Sequence, residues 1–551
     1  MADLYSGERR EQTFPRLSTA QVARLAQVGH RRQVESGELV LEQGDASPSF
    51  FVVISGALAI LHPQGGQELP ITTLREGEFS GEVNMLSARP SLVRARAAES
   101  GELLVITPEA LRKVVQSDAE LSELLMRAFI LRRVALIANA LGDTVLIGST
   151  HSAATLRIRE FLTRNGQPHA YIDVDKDPSV QALLDRFGLH VNDVPVVICG
   201  DARVLKSPSN EQIAECLGFN KFLDPAAVRD VVVVGAGPAG LAAAVYGASE
   251  GLDVLVLESN APGGQAGASS KIENYLGFPT GISGGALAGR AYTQAQKFGA
   301  EVAIARSAVK LRCERPLHTV EMSAGGSVKA RSLVIATGVQ YRKLPLADLP
   351  RFEGLGVYYG ATYMEAQLCQ ADDLIIVGGG NSAGQAAVFL AATARTVQIL
   401  VRGPGLAETM SRYLIRRIEE SRNVTVRAFK QIVALEGDEH LERVQVRDAR
   451  TNETETLPIR HVFLMTGASP NTAWLKGAVA LDGKGFVKTG PDLDREDLSG
   501  WPLPRAPFLL ETSIPGVFAV GDVRAGSVKR VASAVGEGSI CVQLVHRALA
   551  E

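Results

Sequence analysis

The segment DVVVVGAGPAG, residues 230–240, carries three glycines at the spacing that holds a pyrophosphate. Gly235 allows a tight turn, Gly237 lets the backbone come close to the phosphates, and Gly240 lets the following helix pack on the preceding strand. Pro238 and Ala239 open that helix, whose N-terminus faces the phosphate charge. Glu258 ends the next apolar run, DVLVLE, about 20 residues on, where a carboxylate accepts hydrogen bonds from an adenosine ribose. Together these residues predict a dinucleotide site. A second turn of the same kind has Gly378, Gly380 and Ala383 in the GxGxxA register, with Asn381 and Ser382 inside it. Here Arg402 stands where the ribose-binding acid belongs, and no carboxylate is near. A guanidinium in that place suits a 2′-phosphate, so this site is predicted to take NADPH in preference to NADH, with Arg412 as a second phosphate contact. Chemistry through paired thiols has no residues to carry it. The five cysteines, Cys199, Cys216, Cys313, Cys369 and Cys541, are scattered and form no CxxC, which fits a reducing compartment and predicts no zinc or other metal site.

These turns need strands and helices to present them. Four consecutive valines before Gly235 read as a buried parallel strand, and LAAAVYGAS after it reads as a helix of small residues. LIIV before Gly378 and LVIATG at 333–338 repeat the strand-into-turn pattern. IPGVFAVGDVR, 514–524, is an apolar strand stopped by Gly521 and Asp522, and VASAVGEGSICVQLVHRAL is a closing amphipathic helix. Residues 263–285 are too glycine-rich and aperiodic for regular structure and read as a cofactor-lining loop.

At 551 residues the chain is long enough for three or four domains of about 150 residues each. Its 57 basic and 60 acidic residues nearly cancel, which excludes the basic stripe of a nucleic-acid binder and a polybasic membrane anchor. The N-terminal MADLYSGERREQ has no signal-peptide core, and no run of eighteen apolar residues is free of turn glycines. The expectation is a cytoplasmic protein with neither membrane nor nucleic acid as partner.

Residues 1 to about 140 alternate short β-rich runs with glycine turns: GELVLEQGD, FFVVISG, ALAILHP, ITTLREGEF and LLVIT. Two helices close the segment, the second with a capping box of Ser117 and Glu120. The pattern is that of a β-roll or small barrel. FSGEVNMLSARP, residues 79–90, resembles the phosphate cassette of cyclic-nucleotide-binding domains. The resemblance implies that Glu82, after Gly81, takes the ribose hydroxyl, and that an arginine after Pro90 pairs the cyclic phosphate. Ser91 occupies the arginine's place, with Arg89 and Arg94 to either side. Gly81, Glu82 and Arg89 are the candidate ligand residues and a cyclic nucleotide the candidate ligand. Without the bidentate guanidinium, binding is expected to be weak or absent, and a docking or dimerisation module is the alternative.

From Asp143 to about Asn220 the period changes: strand VLIGS, a helix from Ala153 to Arg164, strand AYIDVD, helix VQALLDRF, strand PVVIC and helix NEQIAECLG. This order, with Pro195 opening the third strand as a candidate cis proline, resembles the thioredoxin and glutaredoxin fold. The family's CxxC begins the first helix, where the helix N-terminus lowers thiol pKa. Here that place reads HSAAT, with Ser152 and Thr155 in the cysteine register. Ser152 reads as a plain N-cap, His151 as a surface residue without a partner, and Cys199 as a buried, inert thiol in a core strand.

Over residues 228–551, GAGPAG, GGQ, IENYLGFP, IATG, GGGNSA, TGASPNT and GVFAVGDV occur in the order of the low-molecular-weight thioredoxin reductases, which this part resembles. The resemblance implies a split FAD domain, 228–346 with 465–551, around an NADPH domain at 347–464, and a homodimer. It places FAD on Gly235, Gly237, Pro238, Ala239, Gly240, Glu258, Gly264, Gln265, Asn274, Ala336, Thr337, Gly338, Gly521, Asp522 and Ala532. It places NADPH on Gly378, Gly380, Asn381, Ser382, Ala383, Arg402 and Arg412. The family's CATC-type disulfide falls on VYYGATYMEAQLC, where Gly360 and Tyr363 hold the two cysteine positions and Cys369 is solitary. The whole is similar to bacterial fusion flavoproteins: a β-roll at 1–140, a thioredoxin-like α/β domain at 143–222, and two Rossmann-like dinucleotide domains. The function expected is hydride transfer from NADPH to FAD and on to a non-dithiol acceptor, whether ferredoxin, a quinone-like molecule, oxygen or a redox protein. The alternatives are thioredoxin reduction by a non-standard route, and a redox- or nucleotide-sensing flavoprotein with little turnover.

Overall fold

The computed structural model spans residues 1–551 and describes all of them except 1–7, 46, 65–66, 82–84, 86–88, 139–143, 151, 177–192, 200–202 and 324. At the N-terminus an antiparallel sheet runs in the order His30–Val34, Arg94–Ile106, Phe50–Gln64, Gln67–Leu74, with Leu39–Leu41 also paired to Arg94–Ile106. Alternate residues of Phe50–Gln64 face two cores: Phe51, Val53 and Leu58 enter one, while Phe50 and Val52 join Phe79, Leu104 and Phe129 in the other. The runs FFVVISG and ALAILHP, expected as separate strands, are this single strand, because Gly56 makes a bulge and not a turn. A Cβ at Gly56 would lie 2.7 Å from the Ser100 oxygen, and the register against Arg94–Ile106 shifts there.

The expected capping box is also corrected. Ser117 ends the helix Pro108–Ser117 and donates to the Lys113 carbonyl at 2.8 Å. Asp118 caps the next helix, Ala119–Ala138, accepting from the Leu121 amide at 3.0 Å, and Glu120 instead pairs with Arg24 at 2.7 Å. Ser117 is still the last helical residue of Pro108–Ser117, so the extended residue after it, Asp118, stands at the N-cap, where its carboxylate also suits the positive helix end.

A four-stranded sheet follows in the order His169–Asp173, Thr144–Gly148, Val196–Ile198, Val204–Lys206, the first pair parallel and the others antiparallel. The helix Ala153–Arg164 has its expected bounds, and the Ser152 hydroxyl accepts from the Thr155 amide. The Val194–Pro195 peptide is cis. His151 and the expected helix VQALLDRF lie outside the described residues. Cys199 is buried as expected but is no free thiol: it forms a disulfide with Cys216, the Cα atoms 6.4 Å apart. Cys199 follows the strand Val196–Ile198 and Cys216 ends the helix Asn210–Cys216, so packing of that helix on the sheet brings together two cysteines whose spacing gave no sign of it.

The valine run becomes the strand Val228–Val234, flanked in parallel by Val254–Glu258 and Ser327–Ile335. Glu301–Ile304 lies outside Val254–Glu258, Val517–Ala519 adds to Ser327–Ile335, and the antiparallel strands Leu317–Met322 and Ala308–Glu314 complete seven strands. A second parallel sheet has the order Val357–Tyr358, His461–Leu464, Asp373–Val377, Thr396–Val401, Val424–Ala428. Leu146, Ile158, Phe161 and Leu162 share one apolar core with Val231, Val233, Leu241 and Val545, so the four-stranded unit is fused to the first nucleotide unit. Among the described residues, no helix is long and apolar enough to cross a membrane.

Candidate active site

The first glycine turn has the geometry its sequence predicts, each glycine for a different reason. A Cβ on Gly235 would lie 2.4 Å from the Ala336 oxygen, and one on Gly240 would lie 1.8 Å from the Gly235 oxygen, whereas one on Gly237 would meet nothing within 4 Å. Gly235 and Gly240 bring backbone against backbone, and Gly237 leaves open space at the start of the helix Pro238–Ser249, a cradle that suits a phosphate. The second turn repeats this pattern: Gly378 is pressed to the Met465 oxygen, at 2.3 Å from a Cβ, and Gly380 is open. Ala383 is buried inside the helix Asn381–Leu390.

The first turn opens on a cavity of about 1100 Å³, which the second unit reaches through Asn381 and Ser382, while Gly378, Gly380 and Ala383 lie outside its lining. Gly235, Gly237, Pro238, Ala239, Glu258, Gly264, Gln265, Asn274, Ala336, Thr337, Gly338, Gly521 and Asp522 line it from the first unit, and Asn381, Ser382 and Gly360 from the second. Gly240 lies behind the lining. Ala532, expected at the cofactor, is exposed and outside it; Arg530, Val531 and Ala534 of the same segment line the cavity instead. Glu258 does more than wait for a ribose: its carboxylate accepts from the amides of Ala236, Asn260 and Ala261 at 2.7, 2.8 and 3.2 Å, and burial pushes its pKa up. It braces the glycine turn while facing the cavity. Gln265 is pinned by donating to the Val339 carbonyl at 2.5 Å. Thr337 and Asn471 clasp each other reciprocally, each side chain donating to the other's carbonyl at 2.9 Å.

The lining fits FAD on grounds of this structure. Burial holds the Asp522 carboxyl above its usual range, and no described residue hydrogen-bonds to it, so it is free to accept from hydroxyls. The Trp474 Nε1, also in the lining, is buried without a hydrogen-bond partner among the described residues. A polar ligand with hydroxyls and carbonyls satisfies both.

Arg402 and Arg412 lie outside the cavity on an exposed edge, and neither has an ion-pair partner among the described residues. Arg402 follows Thr396–Val401, the parallel neighbour of the strand that ends at Val377, just before Gly378. Arg412 begins the helix Arg412–Glu420, and the segment before it is tied to the second turn: Thr409 donates to the Gly379 carbonyl at 2.7 Å, and the Ser411 amide to Asn381 Oδ1 at 2.8 Å.

Gly360 lines the cavity with nothing within 4 Å of its Cβ position, and Tyr363 begins the helix Tyr363–Leu368. Beside them the Glu365 carboxylate accepts from the Thr362 amide at 2.8 Å and from its hydroxyl. Cys369 is fully buried, donates weakly to the Ala366 carbonyl, and burial raises its pKa to about 11, so it supplies no thiolate. Cys199 and Cys216 line no part of the cavity.

Sequence reasoning missed Thr362, Glu365 and Trp474, and it missed one face of the helix Ala153–Arg164: Ala153, Leu156, Arg157, Glu160 and Arg164 also line the cavity. Their helical spacing was the available signal, but such a face reads the same whether it borders water or a cavity.

The N-terminal cassette is arranged differently from the expectation. Gly81 is held by Arg132, which donates to its carbonyl at 2.9 Å, and Glu82 lies outside the described residues. Arg89, a ligand candidate from sequence, is buried at 5% exposure, donates to the Tyr292 hydroxyl at 3.0 Å and stacks on Phe219 at 4.2 Å. It locks the cassette to the neighbouring units and is withdrawn as a phosphate ligand. Arg94 is committed to Glu42 and Glu68, and the Ser91 hydroxyl bonds Val93. With each nearby guanidinium engaged, calorimetry should show no binding of cyclic AMP or cyclic GMP at micromolar concentration. Micromolar affinity would refute this, and Ser91→Arg should be the gain-of-affinity control.

Residues 229–538 match the pyridine nucleotide-disulphide oxidoreductase family, and residues 31–118 match the cyclic nucleotide-binding domain. The chain is 31% identical over 324 residues to a thioredoxin reductase of Streptomyces clavuligerus, covering 59% of this chain and 94% of that one. It is 32% identical over 324 residues to a thioredoxin reductase of Mycolicibacterium smegmatis, covering 59% and 97%. The crystal structure of Lactococcus lactis thioredoxin reductase matches with a TM-score of 0.53 at 25% identity, over 58% of this chain and 99% of that one. That of T. acidophilum thioredoxin reductase matches with a TM-score of 0.52 at 27% identity, over 59% and 99%.

Proposed function

Because the chain belongs to the pyridine nucleotide-disulphide oxidoreductases, flavin-dependent enzymes whose thioredoxin-reductase-like members use FAD and NADPH, we propose that it is an NADPH oxidoreductase whose acceptor is not a dithiol of its own. The observation that carries this reading is that the first glycine turn and the start of the helix after the second, Asn381 and Ser382, line one cavity whose lining, among the described residues, contains no cysteine. FAD, when bound, supplies the chemistry by taking the hydride of NADPH and passing the electron pair on. The chain's own residues bind and orient. Gly237 and the helix after it hold the pyrophosphate, Asp522 accepts from hydroxyls, and Gln265 is fixed in the lining by Val339. Arg402 and Arg412 hold the 2′-phosphate. Arg412 sits as a cation at the positive end of a helix, a placement that a bound anion makes favourable.

The division follows the sequence reading: FAD on 228–346 with 465–551, NADPH on 347–464. The unit at 143–222 is a thioredoxin-like domain without the CxxC at the start of its first helix, a reading supported by its one parallel and two antiparallel pairings. Residues 1–140 are a cyclic-nucleotide-binding-like β-roll.

In an anaerobic titration, NADPH should bleach the flavin with two electrons per FAD and expose no new thiols. Oxidised thioredoxin should be reduced no faster than by free reduced flavin, because exchange needs an attacking and a resolving thiol, and Gly360 and Tyr363 supply neither. Rapid thioredoxin reduction that survives Cys369→Ser would overturn the reading. One observation favours a sensing role: Arg89 of the N-terminal cassette is lodged against Tyr292 of the FAD unit. That role would appear as stoichiometric bleaching with little turnover on artificial acceptors.

A further inference from the structure

One wall of the cavity belongs to neither nucleotide unit. It is the face of the helix Ala153–Arg164 that carries Leu156, Arg157 and Glu160, and that helix is fastened at both ends. At its C-terminus Arg164 donates to the Gly264 carbonyl at 2.7 Å and Asn165 to the Asn260 carbonyl at 3.1 Å, both on the FAD unit. At its N-terminus Ala153 abuts the NADPH unit so closely that a Cβ on Gly354 would lie 3.0 Å from the Ala153 Cβ. Behind it Ile158, Phe161 and Leu162 are fully buried in the core shared with Val231 and Val233. The helix therefore spans the cavity from one nucleotide unit to the other. Facing the same space is the segment Gly360–Glu365, where a protein disulfide would need to exchange.

We propose that the helix Ala153–Arg164 is a built-in cover that excludes redox proteins from this cavity and restricts the electron acceptor to a small molecule of the quinone class, with Glu365 as its proton donor. This rests on the reading of the cavity as the FAD and NADPH site. A docking protein needs about 800 Å² of free surface on each side. Clearing it here means breaking the Arg164 and Asn165 bonds and exposing Ile158, Phe161 and Leu162. A small planar acceptor needs only the space between the helix and the Gly360 segment, where Leu156, Tyr358, Ala361 and Leu368 give it apolar contact.

The reaction balances as NADPH plus a proton plus quinone giving NADP⁺ plus hydroquinone. The hydride brings both electrons and one proton, and Glu365 gives the second proton and recovers it from solvent. Burial raises Glu365 in spite of the Thr362 hydroxyl and amide, which favour its charged form, and Glu160 on the facing helix adds a smaller push in the same direction as burial. Tyr358 and Cys369, the other ionisable groups coupled to it, are themselves pushed up by burial and stay neutral.

The test is reoxidation of the NADPH-reduced holoenzyme under anaerobic conditions. Menadione should act about 100-fold faster than oxidised thioredoxin or ferredoxin at equal concentration, since either protein must first displace the cover. The menadione rate should fall as pH rises through the raised Glu365 pKa, and Glu365→Gln should flatten that fall. Independently of turnover, amide hydrogen exchange across Ala153–Arg164 should be equally slow before and after NADPH reduction. If the flavin bleaches and either protein reoxidises it as fast as menadione, or the helix loses protection on reduction, the cover is wrong. An unchanged pH profile in Glu365→Gln rejects the proton donor. Failure of NADPH to bleach the flavin at all is the different result that rejects the proposed function, and this proposal with it.

Discussion

Gly240→Ala should yield a protein that purifies without flavin and is less stable than wild type by about 3 kcal/mol or more, the upper range for overpacking. The added methyl would lie 1.8 Å from the Gly235 oxygen, and neither partner is a flexible side chain that can turn away. The helix Pro238–Ser249 cannot retreat, because the closing helix Val531–Leu549 packs on it backbone to backbone: a Cβ on Gly538 would lie 2.2 Å from the Ala239 oxygen. Any adjustment therefore shifts the amides at the start of the helix, which form the phosphate cradle. Gly237→Ala is the matched control. Its φ of −69° suits alanine and its Cβ meets nothing, so the protein should keep its melting temperature. It should nevertheless bind flavin more weakly, because the methyl occupies the space meant for the pyrophosphate. The ratio of flavin to protein absorbance and a thermal melt separate the two effects. Wild-type flavin content in Gly240→Ala would contradict the assignment of this turn.

Arg402→Ala should weaken NADPH binding by about 1.5–3 kcal/mol, roughly 10- to 150-fold, and leave NADH nearly unchanged. Arg402 is exposed and unpaired among the described residues, so its removal breaks no internal ion pair and the melting temperature should not move. Only the nucleotide bearing a 2′-phosphate loses a charge-assisted partner. Arg412→Ala should show the same selectivity to a smaller degree, since the segment before it is held by Thr409 and Asn381 and Arg402 remains in place. Equal losses for the two nucleotides, measured by titration of flavin fluorescence, would show that these arginines do not read the phosphate.

What was legible from residues alone was whatever local sterics decide. The valine run and the three glycines around Gly235 allow one strand, one turn and one helix start, because a side chain at Gly235 or Gly240 collides with backbone. Ser152 caps its helix for the same local reason. The absence of paired cysteines at Gly360 and Tyr363 needed no structure at all. Even locally, close competitors defeated the reading: Asp118 took the cap from Ser117, and Gly56 bulged a strand that a turn was expected to end.

Tertiary structure decided which groups meet across long separations in the chain. It paired Cys199 with Cys216, turned Arg89 from a phosphate toward Phe219 and Tyr292, and set Glu258 against the Ala236 amide of the glycine turn. It also placed the polar face of Ala153–Arg164 over the nucleotide cavity. The physical reason is common to all four. An arginine, a cysteine or the polar face of a helix keeps the same local conformation in water, in a core or beside a ligand, so its partner is chosen only when the units pack.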